Sequence, residues 1–200
     1  MFTLCKKDQN NMSSLVLHRV YYPVYTLGYG KRVGLWVKGC SRNCSGCISP
    51  ELQDYSGRSV NVKEIAAAVP KGFRADGLTI SGGEPFDQPE GIAEFTEWFT
   101  DNISEDVLIY TGYRLEELKA RNDPVTEKIL KHTAVLVDGP YISEKNDGKG
   151  LRGSFNQRVI VWKFPERYKE AEICARRVQF VAEDTSLWQI GIPPGRDDHE

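Results

Sequence analysis

No uninterrupted apolar run in this 200-residue chain approaches the ~20 residues that a membrane-spanning helix needs, and the start MFTLCKKDQNNMSS lacks the apolar stretch of a secretion signal. Both absences argue against a membrane or exported protein and lead us to expect a cytoplasmic one. An excess of charge of one sign is also missing. Lys and Arg number 26 against 28 Asp and Glu, a formal net charge of -2, so nothing in the balance favours nucleic acid as a partner. Cysteine is scarce, five in all, and a reducing cytoplasm would keep those few from pairing as disulfides. No internal repeat and no composition shift divides the chain. One domain over residues 15–200 is expected, behind a polar, aperiodic extension over 1–14 that reads as flexible.

Three of the five cysteines, Cys40, Cys44 and Cys47, fall within eight positions in VKGCSRNCSGCIS, residues 37–49. Clustered thiols in a cytoplasmic chain point to metal or redox chemistry. A structural zinc site takes four ligands, whereas His18, His132 and His199 are all distant in sequence, although a fold can still bring His18 in. Three thiolates on a tight loop satisfy three corners of a cubane iron–sulfur cluster and leave the fourth iron open. Gly39 and Gly46 let the loop bend sharply with its N–H groups facing cluster sulfides. Structural or incidental thiols are the bland alternative, and Cys5 and Cys174 read as incidental.

LVLHRVYYPVYT (15–26) and VGLWVKG (33–39) read as strands, with the cysteine loop hanging from the second. NVKEIAAAVP (61–70) is a short helix capped by Asn61 and ended by Pro70. DGLTISGGEP is a buried strand running into glycines, followed by PEGIAEFTEWFTDN (89–102), apolar at 92, 95, 98 and 99 with helical spacing. DVLIYTGY, the helical LEELKARN and PVTEKILKH, and AVLVDGPY continue the alternation. VIVWKF and VQFVAEDTSLWQIGI read as strands, the latter as a hairpin turning near Glu183 to Thr185.

Strands alternating with helices imply an α/β protein, a parallel sheet covered by helices, with functional groups at the carboxyl ends of the strands. The polar signals sit there: Gly39-Cys40, SGGEP at 81–85, Thr111-Gly112-Tyr113 and DGPY at 138–141. In SGGEP, adjacent glycines expose backbone groups to a ligand and Glu84 can accept from an ammonium, though such a string is also a plain turn. Asp138 before glycine reads as a turn cap. Arg152, Ser154, Asn156 and Gln157 read as a solvated loop or a pocket lining, and Trp36 as core.

Together these residues resemble the radical S-adenosylmethionine superfamily, and most closely its glycyl-radical-enzyme activase group serving anaerobic ribonucleoside-triphosphate reductase. The resemblance runs from about Tyr21 to Val159 through YYPV (21–24), GCSRNCSGC (39–47), ISGGEP (80–85), YTGYRLEEL (110–118), VLVDGPY (135–141) and RGSFNQR (152–158). It implies a partial (β/α)6-type open barrel of parallel strands with outer helices, and a [4Fe-4S] cluster on Cys40, Cys44 and Cys47. The amino and carboxylate groups of S-adenosyl-L-methionine would take the open iron, held by Gly82, Gly83 and Glu84 with Thr111 beside them. An electron from a flavodoxin or ferredoxin-like donor would break the cosubstrate to a 5'-deoxyadenosyl radical, which takes hydrogen from a glycine of the partner enzyme. Two departures stand out: LGYGKR (27–32) replaces a Gly-Pro-Gly turn, and the chain runs about 40 residues past Val159. The alternatives are a different glycyl radical enzyme, a peptide or a small metabolite as target, or a non-catalytic electron-transfer module.

Overall fold

Valine, leucine and tyrosine dominate SLVLHRVYYPV, which forms the 11-residue strand β1 (Ser14–Val24) and pairs antiparallel with β2 (Arg32–Val37) across a glycine-bearing turn. The computed structural model describes residues 13–183 and 186–194, so Cys5, His199, nearly all of the 1–14 extension and most of the turn at Glu183 to Thr185 lie outside the described residues. The short β3 (Arg58–Asn61) pairs antiparallel with the outer side of β1. Asn61 then starts α1 (Val62–Ala67) as expected, its side chain accepting from the Lys63 N–H, and the helix stops before Pro70.

Two crossovers follow: β4 (Gly77–Gly82), α2 (Pro89–Asn102), β5 (Val107–Tyr110), α3 (Leu115–Ala120), α4 (Pro124–His132) and β6 (Val135–Asp138). β2, β4, β5 and β6 lie parallel, and β7 (Arg158–Val161) returns antiparallel beside β6. Among the described residues the sheet has seven strands in the order β3-β1-β2-β4-β5-β6-β7. This is mixed α/β. The expected run of parallel strands holds only for the central four; the flanks are antiparallel because turns and loops, with no crossover helix, connect them.

Alternation along the strands gives the sheet two apolar faces. Leu35, Ile80, Ile109 and Leu136 stand in one register row and pack under Ile92, Phe95 and Phe99 of α2 and Ile129 of α4. Residues of opposite parity, including Trp36, Leu108, Val135 and Val137, face the chain that follows β7. There Tyr168 and Ala171 pack first, and then the antiparallel pair β8 (Gln179–Glu183) and β9 (Ser186–Ile190).

At the amino-terminal end of the sheet a charge is enclosed. Arg32 is fully buried and donates to Thr79 Oγ1, Asp106 Oδ1, the Tyr168 hydroxyl and the carbonyls of Tyr29, Leu78 and Asp106. The Tyr168 hydroxyl donates in turn to Asp106 at 2.6 Å, and Arg167 reaches the other Asp106 oxygen at 3.1 Å.

Candidate functional site

Past β2 the chain bends at Gly39, where φ is +101° and a Cβ would fall 2.2 Å from the Tyr55 ring, so only glycine fits. The Gly39 and Cys40 N–H groups donate to the carbonyls of Leu52 and Gln53 at 2.8 and 2.9 Å, closing the base of the cysteine loop. Left-handed residues Asn43 and Gly46 fold the loop on itself, and the Cys47 N–H meets the Cys44 carbonyl at 3.3 Å. Cys40, Cys44 and Cys47 are each partly buried. Burial pushes the Cys40 thiol up, against backbone N–H groups of Arg42 and Asn43 that hydrogen-bond to it. Among the described residues, no three His, Cys, Asp or Glu side chains gather so as to hold a metal ion. A zinc cage draws its donors around one ion, whereas a cubane gives each thiolate its own iron and suits sulfurs that stand apart.

SGGEP is docked directly onto this loop. Gly82 pairs with Val37 in the parallel ladder, and the Gly83 and Glu84 N–H groups donate at 2.8 Å to the carbonyls of Val37 and Gly39. A Cβ on Gly83 would lie 2.1 Å from the Gly39 oxygen, so the glycines permit this approach. Their contact is with backbone, and it is Ser81 and Gly82 that border open space.

Glu84 is turned inward, 1% exposed. Its carboxylate accepts from the Phe86 N–H at 3.0 Å, the Thr111 hydroxyl at 2.8 Å and the Gly112 N–H at 2.8 Å. The structure thus gives Glu84 and Thr111 each other as partners, where the sequence suggests an ammonium for the one and a cosubstrate for the other. Burial pushes the Glu84 carboxyl up to about 7, against those three donors. Its proton affinity is raised on folding, so the stability it contributes is fully present below its ordinary value of 4.5 and declines as pH rises to about 7. Glu84→Gln presents an NH2 group to at least one of the three donors and should cost about 1–3 kcal/mol near pH 5. In urea unfolding, the gap between wild type and variant should narrow as pH is raised through that window.

Asp87 is a residue that sequence reasoning missed. One of its oxygens accepts from the Ser41 N–H at 2.7 Å and the Tyr55 hydroxyl at 2.8 Å. The other accepts from the Ser41 and Tyr113 hydroxyls at 3.1 and 3.0 Å. The residue next to Cys40 is thereby tied to the turn after SGGEP, and Tyr113 lies between the guanidinium groups of Arg42 and Arg121. No local pattern announces this, because the three partner residues are scattered over 72 positions.

Asp138 is fully buried and does not cap its own turn as expected: it accepts from the Leu115 N–H at 2.7 Å at the start of α3, and it also pairs with Arg158. The RGSFNQR run is largely internal and not a solvated loop, and of Arg152, Ser154, Asn156 and Gln157 only Gln157 borders the cavity described below. Gln157 accepts from the Gly153 and Ser154 N–H groups and donates to the Gly139 carbonyl, and Asn156 donates to the Pro140 carbonyl, bracing the loop after β6. Arg152 pairs with Asp147 nearer the surface. Trp36 is core, as expected.

A cavity of about 430 Å³ opens beside the loop, within the range of small-ligand sites. It is bordered by Cys47, Ser81 and Gly82, by Trp36 and Tyr110 of the sheet, and by Gly153 and Gln157. The fold does bring His18 in, at the rim, where a register shift between Leu17 and Arg19 re-aims β1. Burial and the adjacent Arg19 hold its imidazole below the usual range. A larger hollow of about 750 Å³ lies at the other end of the strands, around Gly28, Lys31 and Asp76, away from the cysteines.

Residues 26–160 match the family model described as the 4Fe-4S single cluster domain. The chain is 32% identical over 157 residues to the anaerobic ribonucleoside-triphosphate reductase-activating protein of Enterobacteria phage T4, which covers 72% of this chain and 96% of that protein. Proteins of the same description from Vibrio cholerae and Pasteurella multocida are 32% and 30% identical over 150 and 158 residues. These cover 70% and 73% of this chain and 94% and 96% of those proteins. Nearly the whole of each relative is matched, whereas more than a quarter of this chain is not.

Proposed function

Since this chain belongs to the 4Fe-4S single cluster domain family, we propose that Cys40, Cys44 and Cys47 carry a [4Fe-4S] cluster with one iron open to S-adenosyl-L-methionine, and that the protein is a cytoplasmic enzyme installing a glycyl radical on an anaerobic ribonucleoside-triphosphate reductase. The observation that carries this reading is the docking of SGGEP onto the backbone of the three-cysteine loop, with both bordering one cavity. Held by Cys40, Cys44 and Cys47, such a cluster would supply one-electron reductive cleavage of S-adenosylmethionine, the electron coming from a flavodoxin or ferredoxin-like donor, with methionine and, once a hydrogen atom is taken from a glycine Cα, 5'-deoxyadenosine as products.

The protein's own work is binding, orientation and exclusion of water. The partly buried thiolates anchor the iron, and the Arg42 and Asn43 N–H groups soften the charge on the Cys40 sulfur. Ser81, Gly82 and Gly83 form the platform for the methionyl end. Glu84 and Thr111 hold that platform in place from beneath, as positioning residues. The parallel strands β2, β4 and β5, whose carboxyl-end residues Trp36, Ser81, Gly82 and Tyr110 border the cavity, support the partial-barrel reading. No helix among the described residues is long and apolar enough to cross a membrane.

The deciding experiment reconstitutes the protein anaerobically with iron and sulfide, reduces it, and adds S-adenosylmethionine with a candidate reductase. Expected are 5'-deoxyadenosine, methionine and the electron-resonance doublet of a glycyl radical. Product without the doublet reassigns the target to another glycyl radical enzyme, a peptide or a small metabolite. No product from loaded, reduced protein overturns catalysis and leaves an electron-transfer module.

A further inference from the structure

The chain beyond residue 160, where the family match ends, lies along the face of the sheet that carries the cavity. Trp188, Ile190 and Ile192 border the same cavity as Cys47, Ser81 and Gly82. We infer that β9 is part of the cosubstrate site, with Trp188 a binding residue for the adenosyl group; this rests on the reading above and adds a wall that the family match does not include.

The wall is fastened in place. The Trp188 ring meets Trp36 edge-on at 5.1 Å and Tyr21 at 5.4 Å, and the Arg19 guanidinium lies over it at 4.2 Å. Arg19 also pairs with Glu183 at 2.6 Å. The Gln179 carboxamide accepts from the Tyr25 N–H and donates to the Pro23 carbonyl. Ile190 is 1% exposed, whereas Leu187 on the same strand is 69% exposed. Such a strand is a built surface and not a loose strap.

The cavity offers two kinds of surface. Cys47 and the strand-end backbone of Ser81 and Gly82 suit a charged amino-acid end. Trp188, Ile190 and Ile192 are aromatic and aliphatic, suited to the flat face of a purine, and each stacked base gains about 1–3 kcal/mol from an aromatic partner.

The test uses S-adenosylhomocysteine as probe on the full chain, reconstituted anaerobically. Hydrogen exchange of the wild type should slow several-fold over residues 186–193 as well as 81–84 when the probe binds. Trp188→Ala should weaken probe binding about tenfold or more, Leu187→Ala should leave it within about twofold, and iron content should be the same in all three. Protection confined to 81–84, or a Trp188→Ala protein that binds like wild type, overturns the role of β9 and leaves the function intact. A loaded wild type that binds no probe removes the function and this inference together. The exchange measurement needs no variant and so stands even if Trp188→Ala loosens the hairpin.

Discussion

Replacing Cys40, Cys44 or Cys47 by serine should leave a folded protein that no longer holds iron after anaerobic reconstitution. On the reading proposed above each thiolate anchors one iron of the cubane, and among the described residues no other group of His, Cys, Asp or Glu is gathered to hold a metal in its place. Iron content and the visible absorbance of the cluster should fall to background, and 5'-deoxyadenosine formation below detection. Stability without iron should hardly move. The three residues lie on a partly exposed loop beyond the end of β2, and substitutions away from the core are usually within about 0.5 kcal/mol. Cys174→Ser is the control: Cys174 sits at the far hollow, and its loss should leave the iron in place. A Cys174→Ser protein that reconstitutes poorly, or a Cys44→Ser protein that reconstitutes fully, would refute the assignment.

The largest effect on stability is expected at Arg32. Removing one partner of a buried charge pair costs about 3–5 kcal/mol, because the other charge stays buried without its counterpart. Here Asp106 would keep the Tyr168 hydroxyl and Arg167, but Thr79 and the carbonyls of Tyr29, Leu78 and Asp106 would lose their donor. Arg32→Ala should therefore lower the unfolding free energy by about that amount in urea titration. Arg32→Lys should restore little of it, since an ammonium has three donors and cannot match the planar fork that reaches six acceptors. Iron binding by whatever protein remains folded should be normal, as this network lies at the opposite end of the sheet from the cysteines. A loss under 1 kcal/mol would mean that water reaches the network.

Much of the candidate site was legible because its signals are local. The spacing of the three cysteines, the glycines entering SGGEP and the Asn61 cap are all written in short stretches, and the structure places the first two side by side. The central strands were legible too, since VGLWV, GLTI, VLIY and VLVD are short apolar runs set between helical patterns. What failed to show was pairing at a distance. RSVN has no alternation to mark it as β3, which exists because Ser14 to Leu17 offers it an edge. Arg32 reads as one more charge in a turn until Asp106 and Tyr168 surround it. The inward turn of Glu84 could not be foreseen, because it depends on Thr111 and Gly112 arriving from the next strand. The position of β9 against Trp36 likewise has no signature in either segment alone.

Under the proposed function, the four hydrogen bonds that Asp87 accepts would bear on the speed of electron uptake. A cluster carried on a pliant loop would drag protein dipoles with it each time its charge changed, and that rearrangement would add to the barrier of every reduction. Ser41, Tyr55 and Tyr113 are drawn onto a single carboxylate. A strut of this kind would restrain the residues around Cys40, keep reorganisation small and so ease the reduction of a cluster held there.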